Sequence, residues 1–96
     1  MSLLVMKFGG TSVANVDRIK RAAKRVALEV AHGKNVIVIV SAMSGKTNEL
    51  VDWVNDTSQF YDAREYDAVV SSGENVTAGL MAVSYTHLRA HETPLH

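Results

Sequence analysis

Lys7, the pair Gly9–Gly10 and the hydroxyl residues Thr11 and Ser12 lie together near the start of the chain. Residues of these types can hold an anion. Glycines let backbone N–H groups approach it, and the lysine adds a full positive charge where a transferring phosphoryl group is most negative. Two elements must position them. The apolar run Leu3–Met6 reads as a strand that delivers Lys7 to its end. A helix from about Val13 would then set its positive end beside the turn. Strand–Gly-Gly–helix turns often only turn, and on residues alone Lys7 reads first as a strand-end lysine with its head in water.

A second polar group follows the run Val36–Val40. Five consecutive β-branched residues predict a strand buried on both faces of a parallel sheet. The run breaks into Ser41, Ser44, Gly45, Thr47 and Asn48. Ligands of open α/β sheets bind beyond the carboxyl ends of such strands, so both polar loops should share one sheet edge. Gly45-Lys46-Thr47 matches only half a P-loop, because the first glycine would have to stand at Val40. Lys46 reads as solvated.

Between the two strands, Ile19, Ala22, Ala23, Val26, Ala27 and Val30 recur at helical spacing and predict one apolar face over 13–31. His32-Gly33 supplies the stop. Residues 3–40 thus form a βαβ unit with parallel strands, right-handed by default. Thr47 or Asn48 would cap the next helix, which carries Leu50, Val51, Trp53 and Val54. Two further helices are expected over 63–70 and from about Gly73, with Glu74 near the start of the latter, where a carboxylate suits the helix dipole. Trp53 and Tyr66 read as packing residues, and Asp62, Glu65 and Asp67 as solvated. The basic run from Arg18 to Arg25 reads as the solvated side of helix 13–31, with Asp17 and Glu29 as local partners, because no aromatic residues interleave.

The segments Lys7-Phe8-Gly9-Gly10-Thr11-Ser12, Val40-Ser41-Ala42-Met43-Ser44-Gly45-Lys46-Thr47-Asn48 and Ser71-Ser72-Gly73-Glu74 together resemble the amino-acid kinase superfamily and, within it, the aspartokinases. The likeness runs from about Leu3 to Ala82. It implies an α/β fold, the N-terminal part of an α/β/α sandwich with a mainly parallel sheet. It also implies transfer of the γ-phosphoryl group of ATP to the β-carboxylate of L-aspartate. The product, 4-phospho-L-aspartate, is the first step toward lysine, threonine and methionine. In that family Lys7 would be catalytic, and Lys7, Phe8, Gly9, Gly10 and Ser41 would contact nucleotide phosphates. Thr47 and Glu74 would bind aspartate, Glu74 through the α-amino group. Mg2+ would be held through the phosphates rather than by protein ligands, and the full-length family implies a homo-oligomer.

Composition is compatible with this. Ninety-six residues make at most one small domain, there is no cysteine, and ten Lys/Arg balance ten Asp/Glu. Nothing in that balance points to nucleic acid or a membrane surface, and no apolar run is long enough for a bilayer. The expected setting is cytoplasmic. From Ser84 onward the composition shifts: residues 84–96 hold three of the four histidines and the only proline. Residues 1–83 are therefore expected to be an incomplete kinase domain, and 84–96 a tail outside the family, disordered or of artefactual origin. His87, His91 and His96 make a weak metal set, and no metal site is assigned. Such a fragment should have little or no activity and should be aggregation-prone, its apolar faces uncovered. The alternatives are a non-catalytic α/β module that binds an anion or a partner, or a kinase for glutamate or acetylglutamate.

Overall fold

The computed structural model describes residues 2–92, and side chains to Arg89. Its elements are β1 (Leu3–Phe8), α1 (Val16–Ala31), β2 (Asn35–Val40), α2 (Lys46–Thr57) and α3 (Ala63–Glu92). The two strands pair in parallel, from Leu3 opposite Asn35 to Phe8 opposite Val40. Their carboxyl ends coincide, and the Ser41 N–H donates to the Phe8 carbonyl at 3.2 Å just beyond them. The α/β class and the parallel sheet expected from the sequence are both present.

Side chains alternate along both strands. Leu4, Met6 and Phe8, with Val36, Val38 and Val40, are half-buried. On the other face Leu3, Val5, Ile37 and Ile39 stay 64, 53, 49 and 47 % exposed. The two-faced burial expected for β2 is therefore not found among the described residues. The cause is that α1 and α3 both pack on one face, making two layers.

Asn15 starts α1: its Oδ1 accepts the Arg18 N–H at 2.9 Å. The helix begins at Val16 rather than Val13, because Gly10–Val13 form turns first. Ile19, Ala22, Ala23, Val26 and Ala27 are buried, as their spacing predicts. His32 is the C-cap residue, and Gly33 takes a positive φ of 86°. The core gathers Val13, Ile19, Ala22 and Ala23 against Met81 of α3, with Phe8, Val40, Met43, Leu80 and Leu88 around it. Alanines at 22 and 23 allow the two helices to approach closely.

The two helices expected over 63–70 and from Gly73 are one helix, α3. The two serines between the expected helices are satisfied inside it: Ser71 and Ser72 donate their hydroxyls to the carbonyls of Ala68 (3.5 Å) and Val69 (2.6 Å). α3 passes Val83 and Ser84 without interruption and reaches Glu92, while residues 93–96 of the expected tail lie outside the described residues. Asp62, expected on a solvated face, starts this helix: its Oδ1 accepts the Arg64 N–H at 2.8 Å and its carbonyl accepts from Glu65 and Tyr66. Trp53, expected in core or subunit packing, is 53 % exposed, and Tyr66 stacks on Tyr61 at 5.6 Å.

Candidate functional site

The site is built where β1 and β2 end. Lys7 is the penultimate residue of β1, level with Ile39 and exposed, so alternation puts it on the sheet face away from α1. Gly9 has open space where a side chain would stand. A Cβ on Gly10 would lie 3.4 Å from the Ala42 carbonyl oxygen and 4.0 Å from the Ser44 Cα. The loop after β1 thus rests against the loop after β2, as their shared sheet edge requires. Neither Gly9 nor Gly10 has a positive φ. These glycines serve close approach and open access rather than an unusual backbone.

The turn is closed by the Ser12 N–H on the Gly9 carbonyl at 3.0 Å. Arg18 adds a second fastening, its guanidinium donating to the Thr11 carbonyl at 2.7 Å. This residue, read from sequence as solvated, reaches back seven positions to hold the loop. Asn15 was also missed, although an asparagine just before an apolar-periodic run is a cap signal. Glu29 pairs with Lys34 at 2.7 Å rather than with the basic run of its own helix.

The second loop leads into α2 through Gly45, whose φ is 80° and which makes no side-chain cap bond. Thr47 and Asn48, expected as caps, lie instead in the first turn. That end of α2 carries no capping side chain, and its partial positive charge adjoins Thr47 and the Gly10–Ala42 contact. Lys46, expected to be solvated, is held at 3.0 Å by Glu49 and lies 5.7 Å from the Trp53 ring centroid.

α3 enters through Gly73, which is buried. A Cβ there would stand 3.0 Å from the Ala42 Cβ, 3.1 Å from Leu50 Cδ1 and 3.3 Å from Lys46 Cγ. The chain from Gly10 to Ala42 to Gly73 brings all three sequence segments into one neighbourhood. Glu74 follows directly and is exposed. It sits well inside α3 rather than near a helix start, so the dipole argument for it does not apply. Among the described residues neither Lys7 nor Glu74 is in an ion pair, and no group of acidic, histidine or cysteine side chains could hold a metal ion. His96 lies outside the described residues, as does the side chain of His91.

The profile of the amino acid kinase family matches residues 2–92. The chain belongs to that family. It is 51 % identical over 87 residues to an aspartokinase of Rickettsia felis, an alignment covering 88 % of this chain and 22 % of the relative. An aspartate kinase of Pseudomonas putida is 42 % identical over 96 residues, with 90 % of this chain and 23 % of the relative covered. Among solved structures, aspartate kinase from Synechocystis superposes with a TM-score of 0.87 at 39 % identity, covering 91 % of this chain and 15 % of that one. The chain therefore spans 22 or 23 % of the length of these curated relatives.

Proposed function

We propose that this chain is the N-terminal part of an aspartate kinase domain, which transfers the γ-phosphoryl group of ATP to the β-carboxylate of L-aspartate. The observation that carries the reading is the contact chain Gly10–Ala42–Gly73, which joins the lysine–glycine loop, the serine–threonine loop and the Glu74 helix at one sheet edge. In this reaction a β-carboxylate oxygen bonds to the γ-phosphorus as the bond to the bridging oxygen of ADP breaks. The acceptor is already ionised at neutral pH, so the step needs no general base. It needs positive charge and alignment instead. Lys7 supplies the charge, while Gly9, Gly10 and Phe8 bring backbone to the phosphates. Ser41 and Thr47 offer hydroxyls to the nucleotide and to aspartate respectively. Glu74 pairs with the α-amino group of the substrate, which selects an amino acid over a plain dicarboxylate.

Magnesium, where it accompanies the nucleotide, would supply charge neutralisation while Lys7 and the loop backbone would hold the phosphates. The open loop around Lys7 and Gly9 suits the phosphates that would bring such an ion with them. Under this reading residues 1–83 form the family portion and the histidine-rich composition of 84–96 marks a segment of separate origin, although the family profile and α3 both run on to residue 92. The setting is the cytoplasm, and the complete protein is a homo-oligomer.

The test is ATP-dependent acyl-phosphate formation, trapped with hydroxylamine, in the longest protein that contains this sequence. Aspartate should be the accepted substrate, and glutamate and N-acetylglutamate should not. Lys7→Ala should lower kcat on the order of a hundredfold or more, as loss of one charge-stabilising donor does. Glu74→Gln should raise KM for aspartate with kcat less affected. Preference for glutamate or acetylglutamate would overturn the substrate assignment. Anion binding without turnover would leave the chain a binding module.

A further inference from the structure

Arg18 stands where helix physics disfavours it. Asn15 is the N-cap and Val16 the first residue of α1, so Arg18 is the third residue of the first turn. The partial positive charge of a helix start favours Asp17 there and opposes a guanidinium. After an asparagine cap the third position suits Glu or Gln, which can reach back to the cap's own N–H. The arginine instead makes one long-reaching contact. Its Nη1 donates to the Thr11 carbonyl at 2.7 Å, the length of a charge-assisted bond.

That contact acts on a single peptide plane. The carbonyl of the Thr11–Ser12 peptide is held by Arg18, and its N–H donates to the Gly9 carbonyl at 3.0 Å. The plane is fastened at both ends. The Gly9–Gly10 peptide is fastened by its carbonyl alone. Because a trans peptide sets N–H opposite C=O, the Gly10 N–H is turned away from that closed bond. Among the described residues, the N–H groups of Gly10 and Thr11 donate to no protein acceptor. The turn thus has two carbonyl oxygens engaged and two donors to spare, as an anion requires.

We propose that Arg18 is a positioning residue for the phosphate loop: its bond to the Thr11 carbonyl holds the Gly9–Ser12 turn so that the Gly10 and Thr11 N–H groups face the nucleotide phosphates. This rests on the aspartate kinase reading above. Arg18 acts through the loop backbone, and the start of α1 gives up some stability to keep a cation there.

Steady-state kinetics and urea unfolding of Arg18→Gln and Arg18→Lys, in the longest protein that contains this sequence, test this. Glutamine removes the cation and suits the third helical position, so the urea midpoint should hold or rise. The kcat should nonetheless fall roughly ten- to a hundredfold, the scale of a small misplacement at a reacting group. KM for aspartate should stay within about twofold, because Thr47 and Glu74 lie on other segments. Lysine, which can still donate to one carbonyl, should recover part of kcat. The loss should persist at high salt, which screens a long-range charge effect but does not restore a missing bond. An unchanged kcat in Arg18→Gln would overturn the inference. So would a loss that tracks a lowered midpoint, which would make the arginine merely structural, or one that high salt abolishes. A parent that does not phosphorylate aspartate would refute the kinase reading instead. Calorimetric binding of ATP would then decide Arg18 separately: weaker binding by Arg18→Gln is expected, and equal affinity would refute its role.

Discussion

Gly73 and Ala42 are packed so closely that a Cβ added to the glycine would lie 3.0 Å from the alanine Cβ. This contact pins α3 to the loop after β2, one residue before Glu74. It makes Gly73 a steric requirement of the site, although its backbone is ordinary helix. Gly79, two turns further along the same helix, has nothing within 4 Å of its would-be Cβ.

Opposite signs follow for the same substitution at these positions. Gly79→Ala should stabilise by about 0.5–1 kcal/mol, because alanine restricts the unfolded chain and favours helix. Gly73→Ala gains the same preference but must displace Ala42 or Leu50, and overpacking costs about 1–3 kcal/mol. Gly73→Val should be worse still. Urea midpoints at constant slope would show the contrast, and equal effects at both sites would refute the close-packing role.

Thr77 has no exposed surface, and its hydroxyl donates to the Gly73 carbonyl at 3.2 Å. That carbonyl is also a helical acceptor, so the hydroxyl bond adds little and the buried methyl matters more. Thr77→Val should therefore change stability by less than about 1 kcal/mol, while Thr77→Ala should lose about 1–2 kcal/mol through the cavity it leaves. The reverse order would show that the hydroxyl, rather than the packing, holds α3 in place.

The ordering of these effects reflects what sequence could convey. The α1 stripe from Ile19 to Ala27 and the His32-Gly33 stop were legible, because periodicity and capping are local properties. The parallel pairing followed from the apolar run 36–40 and the intervening helix. The continuity of α3 was not legible. Ser71, Ser72 and Gly73 have the composition of a break, yet the serines bond back into the helix and the glycine meets Ala42, a partner thirty-one positions away. The shared edge of the Lys7 and Thr47 loops followed from the two parallel strands, while only the fold brought the Glu74 segment to that edge. Arg18 is exposed as expected, and its bond to the Thr11 carbonyl was not legible because a backbone target is invisible to side-chain patterns.

Arg18 gives a dynamic prediction. Its bond to Thr11 and the Asn15 cap both restrain the segment between β1 and α1. Arg18→Ala should leave the global unfolding free energy within about 1 kcal/mol of the parent, as a single exposed bond allows. Amide exchange at Thr11–Val13 should nonetheless quicken selectively. Unchanged exchange there would mean that the Ser12–Gly9 turn suffices to order the loop.

Acid should loosen the molecule at two identifiable places. The Arg64 backbone N–H, and then its side chain, hold the Asp62 carboxyl below its usual 3.8. Lys34, chiefly through its hydrogen bond, holds Glu29 below its usual 4.5. Both groups bind a proton more weakly in the folded chain than in the unfolded one. The stability they contribute is present above those ordinary values and is lost as pH falls through the lower folded ones. Asp62→Asn should flatten that acid limb and fray the first turn of α3, seen as faster exchange at Arg64–Tyr66. Lys34→Met should flatten it through Glu29 and leave α3 unchanged. An acid limb that persists in the double variant would assign the loss to other carboxylates.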